Sequence, residues 1–462
     1  MHMRRVRVDA SRTHPNDDPA AFGHQGKACA PVASEVAAPG CCPACPPTGR
    51  VDPSAPDTMH TQDLFLRSSA ASPADSHATA ARLSVELVTT LPGLDALRPD
   101  YEFLHRTTGN TLPFCLHEWH VCWCETFLEN GDGIVDEPRI HVLRTPGGQC
   151  VGIVPMILTR RRFGPFTVRS IDALGADPAL TEIRSPLIAP GHERTVAFAL
   201  QREMAAARDW DWVVWRGLGS ELSAALKAGA ALRTRAAPPG YVLDLPASWE
   251  QLRAGLKRNI RESLRHCYNS LKRDGHAFEL RVAASAAEVP AALDRFLDLH
   301  RRRAAMASSV THPDRFAGTV LRSFLFRVCT RLAQRGAVRV FELVIDGEVV
   351  AARVGFVVGE GLYLYYSGFE PRWARYSVMT TALAEIIKYA IAHELRTVNL
   401  SPGTDVGKTR WGPREVHYEE AVQVARPLRS QVARAAYGQV RTGNPAALWL
   451  AKLHGRAQRS WG

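Results

Sequence analysis

Three alternating apolar runs, joined by two glycine turns and followed by a helix, constrain this chain more than any other feature. Residues 338–345, 349–358 and 362–366 each read as a β-strand, with Asp346-Gly347 and Gly359-Glu360-Gly361 between them. Asp-Gly between such runs is a strong hairpin signal, because a tight two-residue turn needs positive φ at both positions. The following segment, 372–394, pairs apolar residues at Val378/Met379, Ala382/Leu383, Ile386/Ile387 and Ala390/Ile391, which is helical spacing, and it leads to a short strand at 398–400. A strand–helix–strand step is a crossover. It predicts a parallel strand pair at the centre of a mixed sheet.

The upstream sequence follows the same order in outline. Residues 83–88 read as a strand, 94–105 and 117–128 as helices, and 140–158 as a hairpin around Pro146-Gly147-Gly148. A strand at 166–171, a helix at 195–207 and a buried strand at 212–215 come next, and 241–245 reads as the last strand of this half. In 249–273 the residues Leu252, Leu256, Ile260, Leu264, Cys267 and Leu271 form one apolar stripe, which predicts a single long helix. A strand at 278–282 and helices at 289–305 and 314–334 precede the meander. The expected fold is therefore α/β with two lobes, 81–245 and 246–425, each built on a mixed sheet.

Of the 462 residues, 46% are apolar and 22% charged, enough to build such cores. Residues 1–80 differ: rich in Pro, Ala, Ser and Thr, they are expected to be disordered. Within them Cys41-Cys42-Pro43-Ala44-Cys45 contains one C-x-x-C without a second pair, so no structural zinc is expected; Met59 is an alternative start. No apolar run reaches the ~18–20 residues needed to span a bilayer, and no secretory h-region follows the basic start, so a cytoplasmic protein is expected. The net charge is +11, and from Arg426 onward seven Lys/Arg occur with no Asp or Glu. That basic tail, 426–462, fits an anionic partner or a solvated end equally.

Chemistry concentrates after the meander. Tyr365-Tyr366-Ser367-Gly368-Phe369-Glu370-Pro371, then Tyr376-Ser377, then the run from Asn399 to Gly412, resemble the CelD/BcsL acetyltransferase family associated with cellulose and exopolysaccharide biosynthesis. Leu299-His300 with Arg302 and Arg303, and the amphipathic segment 258–275, share that resemblance. It implies tandem GNAT-like lobes, an acetyl-CoA or other acyl-CoA co-substrate, no metal, and transfer to an amine or hydroxyl of a small-molecule or saccharide acceptor. Nucleic acid enters only through the related Fem-type aminoacyl-tRNA transferases, which share a Lys-x-x-aromatic-Gly element. A non-catalytic scaffold is a third reading. Two positions depart from the family pattern: Val378-Met379 stands where Pro-Gly is usual, and Asn399 where an acidic residue is common.

Coenzyme A would need a helix N-terminus, whose free N–H groups and partial positive charge accept pyrophosphate. Arg372, Arg375, Tyr376, Ser377 and Val378 are the expected donor-binding residues. Asp405 is the candidate general base and Lys408 the candidate oxyanion stabiliser, with Tyr366 a further catalytic candidate. Arg303, Arg410 and Trp411 are the expected acceptor contacts. For several of these a purely structural role is equally available: an Asx turn for Asp405, a core position for Trp411, a hydrogen-bonded pair for His300 with Arg303. His120 and Cys124 share a helix face, but the flanking Trp119, Trp123 and Phe127 favour core over metal. Arg253, Lys257, Arg261 and Arg265 form a like-charged stripe that suits an anionic partner or a solvated face. No Ser-His-Asp order, Walker loop, Rossmann fingerprint or HExxH occurs.

Overall fold

The computed structural model describes residues 82–441, except 129, 132, 164–165, 176–179 and 307–311. The expectations for 1–80, including Cys41–Cys45 and Met59, and for 442–462 lie outside the described residues. A first sheet collects β1 (Ser84–Val88), β2 (Asn130–Gly131), β3 (Ile134–Arg144), β4 (Cys150–Phe163), β5 (Phe166–Ala173), β6 (Leu187–Ile188), β7 (Trp212–Leu218) and β8 (Arg233–Ala236). The second collects β9 (Gly240–Asp244), β10 (Phe278–Ala283), β11 (Val338–Ile345), β12 (Glu348–Val358), β13 (Gly361–Phe369), β14 (Thr397–Pro402) and β15 (Arg414–Val416). The last strand, β16 (Glu419–Val424), returns to the first sheet. The architecture is α/β with two mixed sheets. The meander is antiparallel and β13–β14 is the parallel pair, as the turn chemistry and the crossover require. Asp346 and Gly347 have φ of 49° and 82°, the positive pair of a tight hairpin.

The division between the lobes is not the sequential one. Residues 241–245, read as the last strand of the first half, lie in the second sheet, where β9 pairs antiparallel with β14 (Val398 opposite Leu243) and with β15. In exchange β16 pairs with β7 and β8, placing Ala421 opposite Trp215 and Thr234. Alternation tells which face of a strand is buried but not which sheet will have it. Charge seals the exchange: Arg216 on β7 bonds Asp172 at 2.6 Å and Glu420 at 2.8 Å, with its side chain only 12% exposed. A chain ended at residue 417 should therefore lose the first lobe. Its unfolding free energy should drop by at least the ~3–5 kcal/mol of a broken buried pair. A circular-dichroism melt unchanged from the full chain would refute this.

Two expected helices are interrupted. The stripe 249–273 becomes Trp249–Gly255 and Arg258–Arg273, because Leu256 turns extended (ψ 145°) and buries its side chain. The helix expected at 372–394 begins as a 3-10 turn, Pro371–Tyr376; Ser377 then takes a left-handed conformation (φ 53°, ψ 42°), and the α-helix runs Val378–Ala392. Part of the basic tail is a helix too, Leu428–Arg441, with Ser430 Oγ donating to Asp211 Oδ1 at 2.7 Å.

The lobes share one apolar core. Trp119, on the helix His117–Phe127, meets Phe324, Phe356 and Tyr365 of the second lobe edge-on at 5.4, 5.9 and 6.1 Å. Around that contact Glu125 pairs with Arg327 and Arg331, and Glu118 with Arg335. On the second sheet the helix Val289–Ala304 comes so close to β13 that a Cβ on Gly368 would lie 2.2 Å from the His300 nitrogen. Only glycine permits that approach, which brings His300 and Arg303 onto the sheet.

Candidate active site

The parallel pair opens where the chemistry was expected. Cα partners run from Gly361/Thr397 to Tyr363/Asn399 and stop there, although β13 continues to Phe369 and β14 to Pro402. Ser401 holds φ of 67° with its N–H donating to Asn399 Oδ1 at 2.9 Å, so β14 bends away from β13. A left-handed non-glycine residue at a strand end costs free energy, and such strain is concentrated at functional sites. Asp405 caps the short helix Val406–Thr409, accepting from the Gly407 N–H. The cap aims Lys408 back at the bend, where Nζ donates to Ser401 Oγ at 3.0 Å and to the Pro402 carbonyl at 2.6 Å. Burial, and after it the Arg353 guanidinium, pull the Lys408 ammonium down to about 8, partly opposed by Glu182 and Asp405.

Tyr363 and Tyr365 alternate on one strand and so share a face. The first lobe covers that face with the loop 180–184. Tyr365 Oη donates to the Leu180 carbonyl at 2.6 Å, Trp119 Nε1 to Thr181 Oγ1 at 3.1 Å, and Tyr363 Oη to Glu182 Oε2 at 2.5 Å. Burial raises the Glu182 carboxyl above the usual carboxylate range, against the lowering effects of the Tyr363 hydrogen bond, Lys408 and Arg353. Arg353, opposite Ser367 on β12, has a buried Nε without a hydrogen-bond partner, and burial lowers its guanidinium to about 10. Arg303 donates to Ser367 Oγ at 3.0 Å, contacts the His312 ring, and lies 5.7 Å from the Phe369 ring centre. Lys408 and Arg353 thus place two cations near the half-buried Glu182, with Arg303 behind Arg353.

The N-terminus of the helix Val378–Ala392 forms the second part of the site. Arg410 Nη2 donates to Thr380 Oγ1 at 2.6 Å, and Arg410 Nε is buried without a partner. Ser377, Thr381, Ser263 and Arg410 all surround the buried Cys267 thiol, which burial raises. An orphan guanidinium N–H beside the first turn of a helix suits an anion.

The expected residues separate into two groups. Lys408, Asp405, Arg303, Arg410, Ser377 and Val378 fall around the splayed strands and the helix start. Trp411 does not: it is 2% exposed within the second sheet's core, so the aromatic-platform role is withdrawn in favour of packing. Tyr366 packs its ring against His300, Phe316 and Tyr365. Arg372 pairs with Glu348, while Arg375 stacks over the Tyr376 ring at 4.7 Å and donates to its hydroxyl. Tyr376 in turn donates to Asp274 Oδ2 at 2.9 Å. Both cations of the expected cradle are therefore engaged within the protein, and Arg410 is the guanidinium at the helix start. His300 is structural, bonding the Ser367 carbonyl through Nδ1 and accepting the Arg315 N–H at Nε2. His120 bonds Tyr101 within the core beside buried Cys124, and among the described residues no group of three His, Cys, Asp or Glu could hold a metal ion.

Glu182, Arg353 and Tyr363 were not singled out from the sequence. Arg353 left a trace, a lone arginine inside the apolar run 349–358, where a charge is buried only with a reason. Glu182 left none. A further cleft of about 940 Å³ opens between the lobes at the opposite ends of β13 and β14, lined by Thr111, Glu360, Arg396 and Arg414 among others. None of the expected site residues lines it. No helix among the described residues is long and apolar enough to cross a membrane.

No curated protein matches the chain. The structure of FemX is similar at 11% identity with a TM-score of 0.51, covering 76% of this chain and 99% of that one. L-PGS from Bacillus licheniformis is similar at 12% identity, TM-score 0.41, covering 78% and 97% of the two chains. A tandem GNAT protein from the clavulanic acid biosynthesis pathway is similar at 13% identity, TM-score 0.38, covering 74% and 99%. At such identities the FemX likeness speaks for the fold alone. Residues 258–411 match the family described as Acetyltransferase (GNAT) domain. Residues 258–411, which carry the splayed strand pair and the helix that follows, are thus similar to a GNAT-type acetyltransferase domain, within a two-sheet α/β fold similar to that of FemX.

Proposed function

We propose that this protein transfers an acyl group from acyl-CoA to an amine or hydroxyl where β13 and β14 part. The observation that carries this reading is Lys408, held by Ser401 and Pro402 where β13 and β14 part. A thioester carbonyl lodged between the parted strands would find an ammonium at hand for the charge that grows on its oxygen. The donor's phosphates would be held by the first turn of Val378–Ala392 together with Thr380 and Arg410. The residues present fit an anion there, because the Arg410 Nε lacks a partner of its own. The CelD/BcsL resemblance supports a saccharide acceptor.

Acetyl-CoA at a hundred times its Kd should stabilise the native state by about 2.7 kcal/mol, read as a rise in thermal midpoint. No shift at saturating acetyl-CoA would sink the reading. A second reading, an aminoacyl-tRNA donor, draws on the exposed stripe Arg253, Lys257, Arg261 and Arg265. Retention of tRNA without an acetyl-CoA shift would favour it instead.

A further inference from the structure

We propose that the proton released by the acceptor is taken by Glu182, a residue of the first lobe, so that neither lobe holds a complete reaction site. The proposal rests on the acyl-transfer reading above and deepens it. Glu182 is the acidic side chain that the first lobe places against the open end of the second sheet. Three contacts on consecutive residues pin its loop: Tyr365 holds Leu180, Trp119 holds Thr181 and Tyr363 holds Glu182 itself. Two of these come from β13, one of the two strands that part. The carboxylate is therefore fixed against the splayed pair by β13 itself. A base placed this way needs no reorganisation when the proton moves.

Its surroundings suit the task. Glu182 is half-buried rather than sealed. The charged or titratable groups facing it are Tyr363 on β13, Arg353 on β12 and Lys408 beyond β14, while Asp405 and Arg303 stand behind Lys408 and Arg353. Burial outweighs the cations and makes this carboxylate more basic than an ordinary glutamate, which moves it toward neutral pH, where a general base works best. Asp405, the base expected from the sequence, spends an oxygen on the Gly407 N–H as a helix cap. Its charge supports Lys408 and Arg303 at longer range.

The step balances without any further reactant. The acceptor's O–H or N–H proton passes to a Glu182 oxygen as its lone pair bonds to the thioester carbonyl carbon. The oxyanion that forms lies beside Lys408 Nζ. Collapse re-forms C=O and breaks the C–S bond, and the thiolate leaves with the electron pair. The proton held by Glu182 returns through solvent to give the free thiol.

The test uses the full-length chain and follows thiol release from acetyl-CoA, with water and then ethanolamine as nucleophile. Glu182→Gln should release thiol about 10²–10⁴-fold more slowly, the usual worth of a placed base. It should keep the acetyl-CoA-induced rise in thermal midpoint and lose the ascending low-pH limb, whereas Glu182→Asp should recover part of the rate. Tyr363→Phe provides a second arm should Glu182→Gln not fold. It removes a hydrogen bond that lowers the Glu182 pKa and holds its carboxylate, so its ascending limb should move to higher pH and its plateau should fall less than that of Glu182→Gln. A Glu182→Gln protein with the wild-type rate and limb, or a Tyr363→Phe limb that stays in place, would overturn the assignment of the base alone. Wild-type protein that binds acetyl-CoA but releases no thiol to either nucleophile would overturn it together with the acyl-transfer reading.

Discussion

Lys408→Met is expected to lower turnover by about 10²–10³-fold while leaving the fold and the acetyl-CoA-induced stabilisation intact. The ammonium is needed only when negative charge appears on the carbonyl oxygen, so its loss falls on the rate and spares donor affinity. Methionine keeps the length and apolar stem of lysine, and the Ser401 hydroxyl it abandons remains next to the Pro402 carbonyl. The pH profile separates this role from a packing role. Burial brings the Lys408 ammonium down to about 8, so the charged form is full below that pH and drains away above it. The wild-type rate should fall as pH rises through about 8, and that descending limb should vanish in Lys408→Met. With the ascending limb assigned to Glu182, the wild-type profile is a bell whose two sides are removed by two different substitutions. Near-normal turnover of Lys408→Met would reduce the 401–411 loop to a structural turn.

Arg410→Glu should abolish the acetyl-CoA shift, removing the ~2.7 kcal/mol expected at a hundred times Kd. The substitution replaces the guanidinium on Thr380 with a carboxylate at the first turn of Val378–Ala392, where two phosphates would have to sit. Arg372→Glu with Arg375→Glu provides the contrast. Arg372 answers Glu348 and Arg375 answers Tyr376, so the double variant should retain more of the shift than Arg410→Glu does. Differential scanning fluorimetry with and without acetyl-CoA reads both. If the double variant loses the shift and Arg410→Glu keeps it, the cradle lies at the 371–376 turn after all.

The candidate site was half legible because its two halves are encoded differently. Lys408, Asp405 and Arg410 sit in one short stretch after a recognisable strand, so proximity along the chain placed them together. Their roles were less legible than their location. Asp405 and Lys408 are three residues apart, yet one caps a turn and the other reaches the bend of β14. Trp411 looked like a binding aromatic and is core, since one residue past Arg410 the chain has already turned inward. Arg372 and Arg375 were placed at the first turn of the helix because it was read as continuous from residue 372. The left-handed Ser377 separates that turn from the α-helix and leaves Arg372 and Arg375 on other partners.

By itself the sequence determined the local elements and the order of the meander. Asp346-Gly347 dictates a tight hairpin through its backbone preferences, apolar spacing dictates which faces are buried, and a helix between two strands dictates a parallel pair. These are effects of neighbours within a few residues. The tertiary structure alone decided that β9 and β16 change sheets, and that Trp119 joins two lobes into one core. It alone brought Glu182 to Tyr363, 181 positions away along the chain. Such pairings depend on how whole faces fit and on which buried charges find partners, as Arg216 does between Asp172 and Glu420. Free energies of that kind belong to the assembled fold, and no window of the chain contains them.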